Sequence, residues 1–253
     1  MHHYHEDIEE YAQKAVMYDL LACYYKYTDP NKYMMHYQKH YEYMKKLAAA
    51  EQVRQQEETA NLAMVRIFHA SSNAPAVDVY VNGQKVLQEL KYKQISQYLK
   101  VPTGQYRIDI YPSGRTTSPV LSEMVYILPS LRYTIAGIGN ANNLQLLPFF
   151  DNPYVSYGET KVRLVHLSPN APAVDIAVKG GNVLFKNVRY KEVSDYVKVS
   201  TNQKFSLEVR IAGTDNVVLT VPNVRLGSNK SYTIVTTEDA KDTFSLEVIL
   251  IEE

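Results

Sequence analysis

Cysteine is almost missing: Cys23 is the only one in 253 residues, so the chain can build neither an intrachain disulfide framework nor a cysteine-rich metal site. An excess of charge of either sign is missing too. The 27 basic and 27 acidic side chains balance, and no global field draws the chain to nucleic acid or to anionic lipid. No apolar run approaches the length that spans a bilayer, so membrane insertion is not expected. The opening residues Met1-His2-His3-Tyr4-His5-Glu6-Asp7 are polar and acidic where an export signal needs a basic segment and an apolar run. The expectation is a chain made in the cytoplasm without a signal peptide.

Backbone breakers are unevenly distributed. Every glycine lies between Gly83 and Gly227, and Pro30 is the only proline of the first sixty residues. That stretch predicts two helices. The first runs from about Glu6 to Tyr27, with its acidic residues at the start, and Ile8, Tyr11, Ala15, Tyr18, Ala22 and Tyr25 recur on one face. Asp29 caps the second helix, and Pro30 occupies its first turn, where no amide hydrogen is needed. Tyr33, Tyr37, His40, Met44 and Leu47 form one side of it, which decays into the polar run Glu51–Thr59.

From Met64 the apolar period becomes two. Val77-Asp78-Val79-Tyr80-Val81 alternates and meets Asn82-Gly83, a hairpin turn in which both residues accept positive φ. Further strands are predicted at Gln97–Val101, Gln105–Tyr111, Val120–Ile127 and Arg132–Gly137, with counterparts in the second half at Asp195–Val199, Phe205–Arg210, Val217–Val221 and Ser231–Thr236. Short strands separated by Gly, Pro and Asn predict antiparallel, immunoglobulin-like β-sandwiches. A junction is expected at Phe149–Gly158, whose aromatic residues could dock one sandwich on the other.

What the chain does contain is a near copy of itself. Val65-Arg66-Ile67-Phe68-His69-Ala70-Ser71-Ser72-Asn73-Ala74-Pro75-Ala76-Val77-Asp78 returns as Val162-Arg163-Leu164-Val165-His166-Leu167-Ser168-Pro169-Asn170-Ala171-Pro172-Ala173-Val174-Asp175. The correspondence slips by one residue at Tyr92/Tyr190 and again by Tyr133/Tyr232. A period this long means one domain present twice. The expected organisation is a tyrosine-rich helical hairpin (1–60), a first β-sandwich (61–157) and a second (158–253), each sandwich folding on its own.

The duplicated motif His-x-Ser-x-x-Ala-Pro-x-Val-Asp resembles a bacterial family known as domain of unknown function 4397. Its residues here are His69, Ser71, Pro75 and Asp78, then His166, Ser168, Pro172 and Asp175. The resemblance implies tandem β-sandwiches of envelope or secreted proteins, and no catalytic residues. The amino-terminal segment is similar, by composition alone, to tyrosine-rich spore-coat proteins.

Ser71, His69 and Asp78, and their copies, are also the residue types of an acyl-transfer triad. The serine, however, lies on a proline-bearing loop and not on a glycine-flanked elbow. The simpler expectation is structural: each histidine contacts the aspartate of its own copy, and the loop serines bond to backbone. His36 and His40 stand four apart, and His2, His3 and His5 cluster at the start, yet no glutamate completes a metalloprotease motif. His40 is expected on a packed face with His36 solvated, and no metal or cofactor is assigned.

Ten of the 22 tyrosines fall between Tyr4 and Tyr43. Two helices cannot bury ten such rings, so Tyr11, Tyr18, Tyr25, Tyr33 and Tyr37 are expected at an interface with a second copy or with other surface or coat proteins. Nucleic acid is not the expected partner, because no basic stripe interleaves the aromatics. The sequence therefore favours a non-enzymatic structural protein assembled into a bacterial surface or spore layer. A cell-wall carbohydrate-binding module using exposed tyrosines such as Tyr80 or Tyr111 is the alternative, with a Ser-His-Asp hydrolase third.

Overall fold

A computed structural model describes residues 2–200, 204–239 and 245–253, without the side chains of residues 2–6 and 57–59. It divides into two compact units, residues 1–62 and 63–253.

The first unit is a helical hairpin. Helix α1 spans His2–Tyr25 and α2 spans Pro30–Ala60. The first helix starts one turn earlier than expected, so its acidic residues lie past its first turn. Asp29 caps α2 as expected: its Oδ1 accepts from the amides of Asn31 at 3.2 Å and Lys32 at 3.1 Å. Helix α2 continues unbroken through the polar run to Ala60.

The expected face of α1 is the packed one, with Ala15 and Ala22 buried and Ile8, Tyr11, Tyr18 and Tyr25 half-buried. On α2 the face is rotated. Tyr33, His36, His40, Tyr43 and Leu47 are half-buried, whereas Tyr37 and Met44 are exposed. Ring stacking decides the rotation. His36 stacks on both Tyr18 (6.1 Å) and Tyr25 (5.6 Å), and Tyr43 stacks on Tyr18 at 5.6 Å. His36 is therefore part of the seam and not solvated.

Among the described residues the second unit is a stack of four sheets from sixteen strands numbered along the chain. The first repeat has an outer sheet ordered β3 (Gln84–Leu90), β2 (Val77–Val81), β5 (Gly104–Pro112), β6 (Leu121–Ile127). Its inner sheet is ordered β4 (Leu99–Pro102), β1 (Leu62–His69), β7 (Arg132–Asn140), β8 (Asn143–Asp151). The second repeat matches it: outer sheet β11 (Val183–Val188), β10 (Val174–Val178), β13 (Lys204–Ile211), β14 (Val217–Arg225), inner sheet β12 (Val197–Lys198), β9 (Thr160–His166), β15 (Lys230–Glu238), β16 (Leu246–Glu252). The molecule is mainly β and rich in antiparallel pairs, as expected. One pair in each repeat, β1 with β7 and β9 with β15, runs parallel, because the intervening chain builds the whole outer sheet before returning. Strand β8 runs to Asp151, which shortens the connection between the repeats from the expected Phe149–Gly158.

Alternation along the inner strands creates three cores. Val65, Ile67, Tyr133 and Ile135 face the outer sheet of the first repeat, and Val162, Leu164, Tyr232 and Ile234 do the same in the second. The opposite faces carry Phe68, Ala136, Ile138, Phe149, Val165, Val235 and Ile251, which join into a third cluster shared by the two repeats. That is why β1, β7, β9 and β15 read as nearly continuous buried runs. Phe149 supplies the docking expected of the junction aromatics, while Phe150 is exposed.

Phe68 is fully buried in the shared cluster and belongs to neither sandwich core. Phe68→Ala is expected to cost about 3–5 kcal/mol and to lower the stability of both repeats together in a single calorimetric transition. Separate transitions, with only the first one moved, would show that the shared cluster does not couple them.

Candidate functional site

Each signature spans the link from the inner to the outer sheet: His69 and His166 end β1 and β9, the serines and prolines lie on the connecting loops, and Asp78 and Asp175 lie in β2 and β10. His69 Nε2 lies 3.0 Å from the Pro75 carbonyl, and the Ser71 amide donates to His69 Nδ1 at 3.4 Å. In the second copy His166 Nε2 meets the Pro172 carbonyl at 3.0 Å, and the Ser168 amide donates to His166 Nδ1 at 3.3 Å. A carbonyl only accepts, so Nε2 carries the proton and Nδ1 is the acceptor. Burial pushes both histidines below their usual pKa, against the opposing pull of the carbonyl contacts. Each ring is thus held neutral with both nitrogens engaged.

The aspartates have other partners, which corrects the expected histidine–aspartate contact. Asp78, 1% exposed, accepts from Lys85 Nζ at 2.7 Å and from the Glu89 amide at 2.9 Å. Those hydrogen bonds, the Lys85 bond first, hold its carboxyl below the usual range. Asp175 accepts from the amides of Asn187 at 2.6 Å and Gly213 at 3.1 Å. Glu89 and Asn187 share a left-handed backbone, with φ of 52° in both, where the outer hairpins lose register. The signature aspartate therefore satisfies the amide of a strained strand residue.

Ser71 Oγ donates to the Gly139 carbonyl at 2.6 Å, the backbone bond expected of it. Gly139 is required by its φ of 86° and by Asn143 O, 2.5 Å from where a Cβ would stand. The second repeat places Glu238 at the matching position, since His69 pairs with Gly137 as His166 pairs with Thr236. Glu238 is 2% exposed and accepts from Ser72 Oγ of the first repeat (3.0 Å), and from Ser168 Oγ (3.4 Å) and the Asn170 amide (3.1 Å) of the second. The two signature loops meet on that carboxylate. Neither serine faces a histidine with a free lone pair, so the geometry of a triad is not assembled.

Sequence reasoning missed the densest polar constellation, at the far end of the joint. Arg66 and Arg163, matched residues of β1 and β9, donate through Nε to Thr134 and Thr233, each at 2.8 Å. Across the joint, Arg163 Nη2 bridges Asp151 at 2.6 Å and Glu253 at 2.7 Å, and Nη1 donates to the Phe150 carbonyl. Arg66 Nη1 reciprocally reaches the Glu252 carbonyl at 3.4 Å. Tyr98 donates to Asp151 at 2.6 Å, and Tyr196 to Glu253 at 2.6 Å. Burial first, then the carboxylate beside each hydroxyl, pushes the Tyr98 phenol far up. The Tyr196 phenol rises far as well, chiefly through burial and in spite of the Arg163 charge. Burial would also raise Glu253, but the Arg163 charge and the hydrogen bonds from Thr233, Tyr196 and the Asn152 amide outweigh it and hold the carboxyl below its usual range. The available signal was an arginine inside an apolar strand, present in both copies.

Elsewhere, Tyr80 and Tyr111 are half-buried and not exposed as expected, because they pair edge to face at 4.9 Å on the outer sheet of the first repeat. In the hairpin, His40 Nδ1 lies 2.9 Å from the Ala15 carbonyl, and His2, His3 and His5 have side chains outside the described residues. Among the described residues no group of three or more His, Cys, Asp or Glu could hold a metal ion, and no helix is long and apolar enough to cross a membrane.

A family model described as domain of unknown function (DUF4397) matches residues 63–177 and again 160–253. A search of curated proteins finds no match. Among solved structures, the Bacillus anthracis TIE protein is 13% identical with a TM-score of 0.24, over 70% of this chain and 34% of its own. The chain thus spans about a third of that protein's length. A Bacteroides uniformis protein titled a "putative cell adhesion protein" is 9% identical with a TM-score of 0.21, over 75% of this chain and 98% of its own. Likeness at that level carries no argument about this chain.

Arg163→Met removes the guanidinium that bridges two buried carboxylates and is expected to cost about 3–5 kcal/mol, measured by denaturant unfolding. A loss under about 1 kcal/mol would show that water already screens the cluster. The histidines set a pH dependence. Their folded pKa values lie below the unfolded one of about 6.5, so their contribution is complete above that pH and is lost as pH falls through the folded values. The chain should melt lower at pH 5.5 than at pH 7.5, and the difference should shrink in H69Q/H166Q.

Proposed function

We propose that this chain, which belongs to the DUF4397 family, is a non-enzymatic structural protein that self-associates through its helical hairpin during assembly of a bacterial surface or spore layer. The supporting observation is the apolar surface the hairpin leaves in water. Leu20 is 65% exposed and Tyr24 74%, alongside Val16 and Met17 on α1 and Met34, Tyr37, Tyr41 and Met44 on α2. A two-helix hairpin has one internal seam, and Tyr11, Tyr18, Tyr25 and Tyr33 are half-buried on the seam side. The outward side chains have no such outlet, and large apolar patches are uncommon on monomers. Tyr37 is the member of the expected tyrosine set that faces outward. Aromatic and methionine side chains suit a protein interface, and a second copy presents the same face, as a two-fold dimer requires.

The spore or surface setting rests on the tyrosine-rich composition and on family resemblance. The paired Tyr80 and Tyr111 support the second reading, a cell-wall carbohydrate-binding module, because aromatic faces pack on sugar rings. The engaged histidines and serines of both signatures weigh against a hydrolase.

Light scattering over a wide concentration range tests the proposal. The full chain is expected to form concentration-dependent oligomers that L20Q/Y24Q/Y37Q/Y41Q weakens at least tenfold and that a chain starting at Asn61 does not form. A monomer at every concentration would sink the assembly reading, and retention on isolated cell walls that Y80A/Y111A abolishes would favour the carbohydrate reading.

A further inference from the structure

The duplication makes each repeat a control for the other. Both have the same sheets in the same order, so a difference in core volume at matched positions is specified by sequence and not by architecture. Between the two sheets of the first repeat lies a cavity of about 90 Å³, bounded by Val65, Ile67, Val101, Ile108, Val125 and Ile135. It extends to the edge strands β3 and β4, where Val86 and Leu99 also line it and are themselves exposed. Among its lining side chains only Tyr106 has a polar atom, and that hydroxyl donates to the Pro102 carbonyl at 2.7 Å. Unfilled apolar space of this kind is costly in a core.

At the cavity's matched edge positions the two repeats differ in both directions: Leu184 is larger than Val86, and Val197 is smaller than Leu99. Strand β11 pairs Phe185 with Ile176 where β3 pairs Leu87 with Val79. Phe185 therefore matches Leu87, and Leu184 matches Val86. Phe185 is buried in the second core, with Leu184 packed against it. Val86 lines the cavity with a smaller side chain than Leu184, and Leu87, packed on the core next to it, is smaller than Phe185.

We infer that this cavity binds the hydrocarbon end of an unbranched alkyl chain entering between β3 and β4. The class of ligand follows from the lining. Nothing inside offers a free donor or acceptor, so a polar ligand would lose its hydration without compensation, and an apolar void of this size stays dry. The space is smaller than the roughly 150 Å³ cavity known to take benzene. A linear chain fills such a slot with its end while the remainder of the molecule stays outside the mouth.

The test is calorimetric titration of the full chain with straight-chain alcohols from butanol to decanol. Affinity is expected to rise about fourfold for each methylene buried and to level off once the cavity is full. V86L/L87F gives the first repeat the second repeat's own side chains, and is expected to weaken binding at least tenfold with an unchanged or higher melting temperature. V101A enlarges the cavity and should move the plateau to a longer alcohol. Absence of saturable binding by the unsubstituted chain would overturn the inference. So would affinity unchanged in V86L/L87F, which would place the alcohols on another apolar surface such as the hairpin. Should that variant not fold, a plateau unmoved in V101A overturns the inference equally.

Discussion

Two arginines, two carboxylates and two tyrosines lie between the inner sheets, where Arg66 pairs with Asp151 within the first repeat, Arg163 pairs with Glu253 within the second, and Arg163 also reaches Asp151 across the joint. Removing an ion from water costs several kcal/mol even after relaxation. Arg163 recovers that cost by bridging Asp151 of the first repeat and Glu253 of the second. Arg66 reaches the Glu252 carbonyl from the other side and lies under the ring of Tyr98, 4.5 Å from its centroid. Each repeat thus supplies partners the other needs. Apolar packing of Phe68, Phe149, Val165 and Ile251 makes the sheets adhere, but apolar packing tolerates sliding. The charged cluster at one end and Glu238 at the other fix the register, because any displacement would leave a buried group unpaired.

The fold class was readable because the duplicated segment supplies two independent samples of one pattern. Asn82-Gly83 marked a turn, and Val77–Val81 alternated cleanly. Harder to see was that β1, β7, β9 and β15 are buried on both faces. Arg66 and Arg163 break the apolar runs and look like solvent-facing positions, when they are the polar part of a second buried face. Strands β8 and β16 escaped prediction, β8 for a related reason: Phe149-Phe150-Asp151 combines docking aromatics with a polar end and resembles a linker when its partner sheet is unknown. In the hairpin, α1 has two buried alanines that mark its seam. Helix α2 has tyrosine or histidine on several sides, and there ring stacking of His36 and Tyr43 and the contact of His40 with the Ala15 carbonyl distinguish inside from outside.

The signature residues are held by the same kinds of contact in both copies. Histidine, serine and aspartate recur in both copies because each solves a backbone problem. The histidine ties two points of its loop, the serine anchors the loop to a neighbouring strand or carboxylate, and the aspartate satisfies the amide of a left-handed residue. A catalytic histidine keeps one of its two nitrogens on the group whose proton it moves. Here both are occupied in both copies, with the same geometry to within 0.1 Å between the two amide contacts. Identical geometry on loops of different composition, Ser72 in one and Pro169 in the other, is what a requirement of the fold produces.

Where the copies differ is more informative about what each repeat does than where they agree. Ser72 against Pro169 and Gly139 against Glu238 are paired differences: the glutamate of the second repeat takes an extra donor from the serine of the first. Those changes belong to the joint and make the two repeats non-interchangeable within it. Val86 and Leu87 against Leu184 and Phe185 are not near the joint and have no partner across it. They alter only the packing between the two sheets of one sandwich, on strands β3 and β11 at the sheet edges. A joint that needs both repeats holds their inner sheets to a common design, and it leaves the outer sheets as the part of the molecule free to diverge.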